Sequence, residues 1–337
     1  MNRYLLLHCL LLFCIFCVSP FSAWALSGKV AAVSAPNSPW DKQWTQFRTY
    51  LEGNAPDIDL KYFIRGEIGN EDDMLSAVRR NRVQIAGPSL QGLSTLVPEL
   101  AVPMAPYLFE SVEEVDFVYD NFLFKPVNKL LRAKGLVLLR WSEVGWTDLY
   151  ADRALYSPAD VSGLDMRGAP NIAAQVFLTH IGANLVPLGS VDIVPALQRG
   201  MIDGGASNLI FHFYTSRQYA SHVTLTHHSY DTGGLVANKE WFDSASPEQQ
   251  AALITANGSP SNTREPVRAL LNDLIGQMRG EGIEIIELTP EQRAFWKKET
   301  EPLYHDIIDQ VGGEAQILYN AILEGKAAFK AVQDTAE

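Results

Sequence analysis

The sequence predicts an α/β protein built as two doubly wound lobes, and three observations carry that expectation. Residues 29–86 read strand, helix, strand, helix, strand, the opening of a sheet with helices on its faces. A second strand-to-helix turn of the same kind recurs far downstream, at Leu164–Ile181. The 337 residues are ample for two cores, and no repeat, low-complexity run or Pro/Ser-rich linker separates them. The lobes are therefore expected to be joined by crossing strands, not by a tether.

Taken in order, Lys29–Ala35 (KVAAVSA) is the first strand, closed by the loop Pro36-Asn37-Ser38-Pro39. Trp40, Trp44, Phe47 and Leu51 then fall at helical spacing, with Asp41 in the first turn where the helix dipole favours an anion. Ile58–Ile64 alternates as a second strand. A helix over Glu71–Arg80 leads to a third strand, Val83–Ala86. Val112, Val115, Phe117 and Val118 mark another helix. Residues 135–145 (GLVLLRWSEVG) make a buried strand, and Thr147–Ala154 alternates as a separate one. Phe211–Tyr219 reads as a helix and His222–His228 as a strand. Ser246-Pro247-Glu248-Gln249 and Thr289-Pro290-Glu291-Gln292 are capping boxes with proline at the first helical position.

The first residues read as a targeting segment. Arg3 supplies the positive end, Leu5–Val18 the apolar run, and Ala23-Trp24-Ala25 the cleavage site. Cleavage there makes residues 1–25 a signal peptide and starts the mature chain at Leu26, in the periplasm. All three cysteines (Cys9, Cys14 and Cys17) lie in that segment, so the mature chain has no thiol nucleophile, disulfide or thiolate metal ligand. The net charge of −12 disfavours nucleic acid and anionic membranes as partners.

Motifs for chemistry are absent: no P-loop, G-x-G-x-x-G, G-x-S-x-G or H-E-x-x-H occurs. No cofactor is expected. Adjacent strand residues His227 and His228 point to opposite faces and cannot chelate one metal together; they read as a hydrogen-bonded hinge histidine and a surface one. Asp203-Gly204-Gly205 lacks the further oxygen ligands of a calcium loop. No metal is expected either.

What remains is Arg167. The short strand Leu164–Met166 delivers it into Gly168-Ala169-Pro170, and a helix follows from Asn171, a plausible N-cap. That places a guanidinium at the carboxyl end of a strand beside a helix N-terminus, where open α/β sheets bind ligands and where an anion is favoured. The competing reading is a surface arginine at a strand end.

The run DMRGAP, GANLVP, ALQRGMIDG and Asn208 resembles the signature of the solute-binding subunits of tripartite ATP-independent periplasmic (TRAP) transporters. That family carries "KIR-x-P", "GANPVP", "ALQ-x-G" and "DG", then an asparagine. The resemblance extends over the mature chain. It includes Ile68-Gly69, Glu71 and Leu75; Pro98-Glu99-Leu100; Pro106-Tyr107-Leu108-Phe109; Ser157–Leu164; HVTLTHH; and Val236–Trp241. The family's Gly and Asp are replaced here by Asn81 and Gln84. The resemblance implies a periplasmic solute-binding fold that closes two lobes on a small organic acid. It also implies a long C-terminal bracing helix, favoured to start near Pro290. Lobe I is expected to comprise 26–144 and 233–275, and lobe II 145–232 and 276–337.

The resemblance further implies that Arg167 grips the ligand carboxylate. The second-lobe polar partner is Ser207 or Asn208, since the family's asparagine falls one position earlier; Asn208 alternatively only caps the next helix. Phe211 sits beside them. Where sialic-acid-type members have "G-F-R", this chain has Gly145-Trp146-Thr147. Trp146 is a pocket wall or core, and Thr147 replaces a second arginine. Arg140 offers a second cation or a structural pair. Asn37, Glu71 and Ser89 lie at strand ends facing the cleft, although Glu71 equally serves as a helix-start charge. The implied function is capture of an organic acid, a monocarboxylate by the Thr147 argument, for large and small membrane permease subunits. A monomer is expected. A ligand-presenting sensory module, or an enzyme on the same lobes, is the alternative.

Overall fold

The structure is a computed structural model that describes residues 25–336. Residues 1–24 of the expected signal segment, with all three cysteines, lie outside the described residues. No described helix is long and apolar enough to cross a membrane.

Nine strands form one sheet: β1 (Leu26–Ala32), β2 (Ile58–Phe63), β3 (Ile85–Gly87), β4 (Leu136–Ala151), β5 (Asp165–Gly168), β6 (Asn184–Pro187), β7 (Gly204–Asn208), β8 (His222–Asn238) and β9 (Glu284–Glu287). Their order is β2-β1-β3-β8-β4-β7-β5-β6, with β9 beside β8. One half is the parallel set β2-β1-β3 and the other the parallel set β7-β5-β6. The antiparallel pair β4 and β8 runs through both halves and joins them.

Helices cover both faces of each half, as the strand alternation requires. On β1, Ala31 packs with Met74, Val78 and Leu93, while Val30 and Ala32 pack on the other side with Phe47, Leu51 and Leu253. In the other half Leu149, Met166 and Ala206 share a core with Phe177 and Trp296, and Tyr150 and Val223 share another with Leu209 and Phe213. The fold is thus the two-lobed, doubly wound α/β architecture.

Three expectations are corrected. The sequence reading splits the first crossing strand in two and ends the second at His228, whereas β4 and β8 are continuous. The interruptions are register shifts inside an unbroken pairing, one of them between Glu143 and Gly145. Gly145 absorbs it at φ +108°, a conformation that a side chain resists.

The segment starting at Pro290 is not one continuous bracing helix. Pro302, which has no backbone N–H, separates the helix Pro290–Thr300 from Leu303–Val311, and Gly312 and Gly313 at positive φ end the latter. Leu303–Val311 still packs on both halves, against residues 98–104 and the helix Ile172–His180, and the pair Pro260–Arg268 and Leu271–Gly280 spans them as well. The first packs on β4 and the helix Pro39–Asn54, the second on the helix Leu209–Thr215 and β9. Arg264 and Arg268 tie it to Asp116 and Asp120, at 2.7–2.8 Å for the shortest bonds.

The longest helix, Ala315–Ala336, packs on residues 98–123 of the first half rather than on lobe II. Lys326 donates to Leu108 O at 2.6 Å and pairs with Glu114 at 2.9 Å. Phe329 packs on Phe117, with ring centroids 5.6 Å apart.

Candidate ligand-binding site

A cavity of about 110 Å³ lies between the halves. The second half contributes Arg167 at the end of β5, Ser207 and Asn208 from β7, and Phe211. The first half contributes Trp40, Gln43 and Trp44 from the helix Pro39–Asn54, together with Glu71 and Ser89. Arg140 from β4 and Asp231 from β8 complete the wall.

Arg167 is 4% exposed. Its Nε donates to Leu188 O at 3.0 Å and Nη1 to Ala206 O at 2.9 Å. Among the described residues it has no carboxylate within ion-pair distance. Burial lowers its pKa, while Tyr150, Glu71 and Asp231 act the other way. Burial also pushes the Tyr150 phenol up to about 12, so that group stays neutral beside the guanidinium. Gly205 makes the arrangement possible. It pairs with Arg167 across β5 and β7, and a Cβ there would lie 2.6 Å from the Tyr150 hydroxyl and 2.8 Å from Arg167 Cβ.

Two carboxyls stand near this cation. Glu71 accepts from Ser89 N at 2.6 Å and from Ser89 Oγ at 2.8 Å. Burial raises its pKa against those bonds and against Arg167. Asp231 is 1% exposed, and its Oδ1 has no hydrogen-bond partner. Burial holds its carboxyl well above the usual range, opposed by backbone N–H groups of Gln91, Leu90 and Thr232. Glu143 also lines the cavity, but its carboxylate is engaged by Arg268 at 3.1 and 3.2 Å and by the Tyr230 hydroxyl.

Arg140 differs from Arg167. Part of its side chain opens to the cavity, but Nε and Nη1 are shielded and have no hydrogen-bond partner. The guanidinium lies 5.9 Å from the centroid of the Phe47 ring. Burial lowers its pKa to about 10.

The structure therefore brings Arg167, Ser207, Asn208, Phe211, Glu71, Ser89 and Arg140 to one cavity, and leaves two candidates out. Trp146 does not line it. Its ring packs edge-on against Tyr230 at 4.8 Å and stacks on His227 at 5.7 Å. Asn37 is exposed, at φ 65°, with its N–H donated to Asp41 at 3.0 Å. Asn208 both caps the helix Leu209–Thr215, accepting from Phe211 N at 2.8 Å, and lines the cavity. Thr147 is buried opposite Asn208, away from this cavity, with Oγ1 unpartnered.

Sequence reasoning missed Trp40, Trp44, Asn257 and Asp231. The two tryptophans carry the same helical spacing as core positions, so periodicity alone could not separate a cleft wall from core. Asp231 falls just past His222–His228, where the expected strand ends. His228 is buried rather than superficial: it bonds Thr226 Oγ1 at 2.8 Å and stacks on Phe177 at 4.1 Å. His227 bonds Asp148 at 2.8 Å. No cluster of metal-ligating side chains occurs among the described residues.

Hydrogen bonds close the cavity's edge. Asn70 from the first half donates to Asp192 Oδ2 at 2.8 Å and accepts from Val191 N at 3.1 Å. Trp40 Nε1 donates to Glu143 O at 2.8 Å.

A family model for bacterial extracellular solute-binding protein, family 7, matches residues 30–310. The chain belongs to this family. This family 7 chain is 25% identical over 292 residues to the C4-dicarboxylate-binding periplasmic protein DctP of Rhodobacter capsulatus, covering 85% of the chain and 87% of the relative. It is 30% identical over 245 residues to the 2,3-diketo-L-gulonate-binding periplasmic protein YiaO of Escherichia coli, covering 70% and 73%. Its fold matches that of the periplasmic ectoine-binding protein of the Halomonas elongata TeaABC TRAP transporter. There the TM-score is 0.84 at 22% identity, over 90% of this chain and 99% of the other. The first two are named as periplasmic binding proteins, and the third as the binding protein of a TRAP transporter.

Proposed function

We propose that this protein captures a small organic acid in the interlobe cavity, with the ligand carboxylate on Arg167, and delivers it from the periplasm to TRAP membrane subunits. One observation carries the reading. Arg167 is a buried guanidinium aimed by two backbone carbonyls, with no carboxylate within ion-pair distance among the described residues. A guanidinium has five N–H donors; the two carbonyls use one on Nε and one on Nη1, and the rest suit a carboxylate held bidentately. Charge pairing then compensates the desolvation of both partners. Ser207, Asn208 and Phe211 would read the adjoining part of the ligand, while Trp40 and Trp44 would pack on its body.

The expectation of a monocarboxylate comes from Thr147, which lies away from this cavity and so does not decide how many anionic groups the ligand carries. A signal cleaved after Ala25 would place the mature chain in the periplasm. The crossing strands β4 and β8 would serve as the hinge between lobes.

A thermal-shift screen of organic acids tests the proposal. Ligand at about 100 times its Kd adds roughly 2.7 kcal/mol of stability, a clear rise in Tm. Failure of every small organic acid to raise Tm would contradict it. Turnover of a bound acid would favour an enzyme, and capture by a receptor in place of membrane transport subunits would favour a sensory module.

A further inference from the structure

We propose that Asn70 is a latch between the halves, a positioning residue that does not line the cavity yet sets how fast a bound acid leaves it. This inference rests on the proposed capture of an acid at Arg167.

Asn70 is the N-cap of the helix Glu71–Arg79 in the first half. Its side-chain amide reaches into the second half with both ends. Oδ1 accepts from Val191 N at 3.1 Å, and Nδ2 donates to Asp192 Oδ2 at 2.8 Å. The second bond ends on a carboxylate and is charge-assisted. The helix start has other support: Asp73 Oδ2 accepts from Asn70 N at 3.2 Å, and Glu71 and Asp72 place further acids in the first turn.

The facing wall is shaped for this amide. Gly189 has φ −67° and ψ 166°, which any residue adopts, so its backbone does not call for glycine. The close approach does. A Cβ on Gly189 would lie 2.3 Å from Asn70 Oδ1 and 2.8 Å from Nδ2. A side chain here would hold the halves apart at the point where the amide joins them.

None of Asn70, Gly189, Val191 and Asp192 lines the cavity, but each end of the latch is one residue from the Arg167 site. Asn70 precedes Glu71, which acts electrostatically on Arg167. Gly189 follows Leu188, whose carbonyl accepts from Arg167 Nε at 3.0 Å. Seating the amide and bringing the first half over Arg167 are therefore one movement. The two bonds exist only with the halves together, so losing them lowers the closed fraction and raises the apparent Kd by the same factor. Encounter with the acid precedes closure, so the change falls on koff and not on kon.

The test measures both rates by stopped-flow fluorescence on the full mature protein, and its probe is the small organic acid that raises the wild-type Tm most. Asn70→Ala should raise koff by about tenfold and leave kon within about twofold. Gly189→Ala should do the same. Asn70→Asp keeps a good N-cap but sets a carboxylate against Asp192, so koff should rise at least as far as in Asn70→Ala. Adding Asp192→Asn to Asn70→Asp exchanges the acid and the amide, and should return koff to within about threefold of wild type. A role in capping alone predicts wild-type koff for Asn70→Asp and no rescue by Asp192→Asn; either result, or an unchanged koff in a folded Asn70→Ala protein, would overturn the latch and leave Arg167 untouched. Failure of every small organic acid to bind the wild type, or undiminished binding by Arg167→Ala, would instead overturn the parent reading, and this one with it.

Discussion

Arg167 and Arg140 face one cavity from opposite halves of the molecule, and they are held in contrasting ways. Arg167 gives Nε and Nη1 to backbone carbonyls of Leu188 and Ala206, with Glu71 and Asp231 nearby. Arg140 gives Nε and Nη1 to nothing and rests over Phe47. The first is preorganised by its own chain, so ligand binding there need not order it. The second has an electrostatic deficit that only a partner outside the described contacts removes. A buried cation can thus be preorganised by its own chain, as Arg167 is, or lie beside the cavity with two nitrogens that no described group completes, as Arg140 does.

Three changes sharpen or break that contrast. The largest effect is expected from Gly205→Ala. The new Cβ would meet Tyr150 and Arg167, and overpacking of this kind costs about 1–3 kcal/mol. Acid binding should fall with the loss of stability, because the same clash displaces the guanidinium. Denaturant unfolding and calorimetry would check it; a variant as stable as wild type that still binds would show that the β5–β7 approach does not position Arg167.

Next is a pair of ligand-free variants. Arg167→Met should destabilise by about 2 kcal/mol, since two buried carbonyls lose their donors. Arg140→Met should be neutral or stabilising by about 1 kcal/mol, since it removes an uncompensated charge. Urea melts of the two decide the matter. Equal losses would mean that Arg140 has structural partners after all.

The smallest effect concerns Asp231. Burial raises its carboxyl pKa, so the folded chain holds that proton more tightly than the unfolded chain does. The resulting stability is fully present below the ordinary aspartate pKa and is lost as pH rises through the folded value, at up to about 1.4 kcal/mol per pH unit. Asp231→Asn removes this contribution. Its Tm relative to wild type should climb over the window that opens as pH rises above the ordinary aspartate value of about 4. Parallel Tm curves would show that Asp231 does not titrate in that window.

Legibility followed how local each signal is. Arg167 and the Asn171 cap sit within one continuous run, where a strand, a glycine turn and a helix start fall in sequence order. The doubly wound halves were legible for the same reason. Trp146 was ambiguous because an aromatic on a strand packs equally well on Tyr230 or on a ligand. Arg140 and Asp231 depend on the long pairing of β4 with β8, which period-two alternation could not reveal across bulges. The brace was legible only in part, because a capping box marks where a helix starts and says nothing of where it breaks or what its far end meets. Pro260 and Pro266 look like interruptions in a segment that in fact spans both halves.

The central claim is that the Arg167 guanidinium supplies most of the grip on the ligand acid. Calorimetric titration of the tightest-binding acid into wild type and Arg167→Ala, with circular dichroism of both, tests it most directly. Truncating one partner of a buried hydrogen-bonded charge pair costs about 2–5 kcal/mol or more, so the variant should keep its fold and show no measurable binding. A folded Arg167→Ala protein that binds within about threefold of wild type would contradict the account.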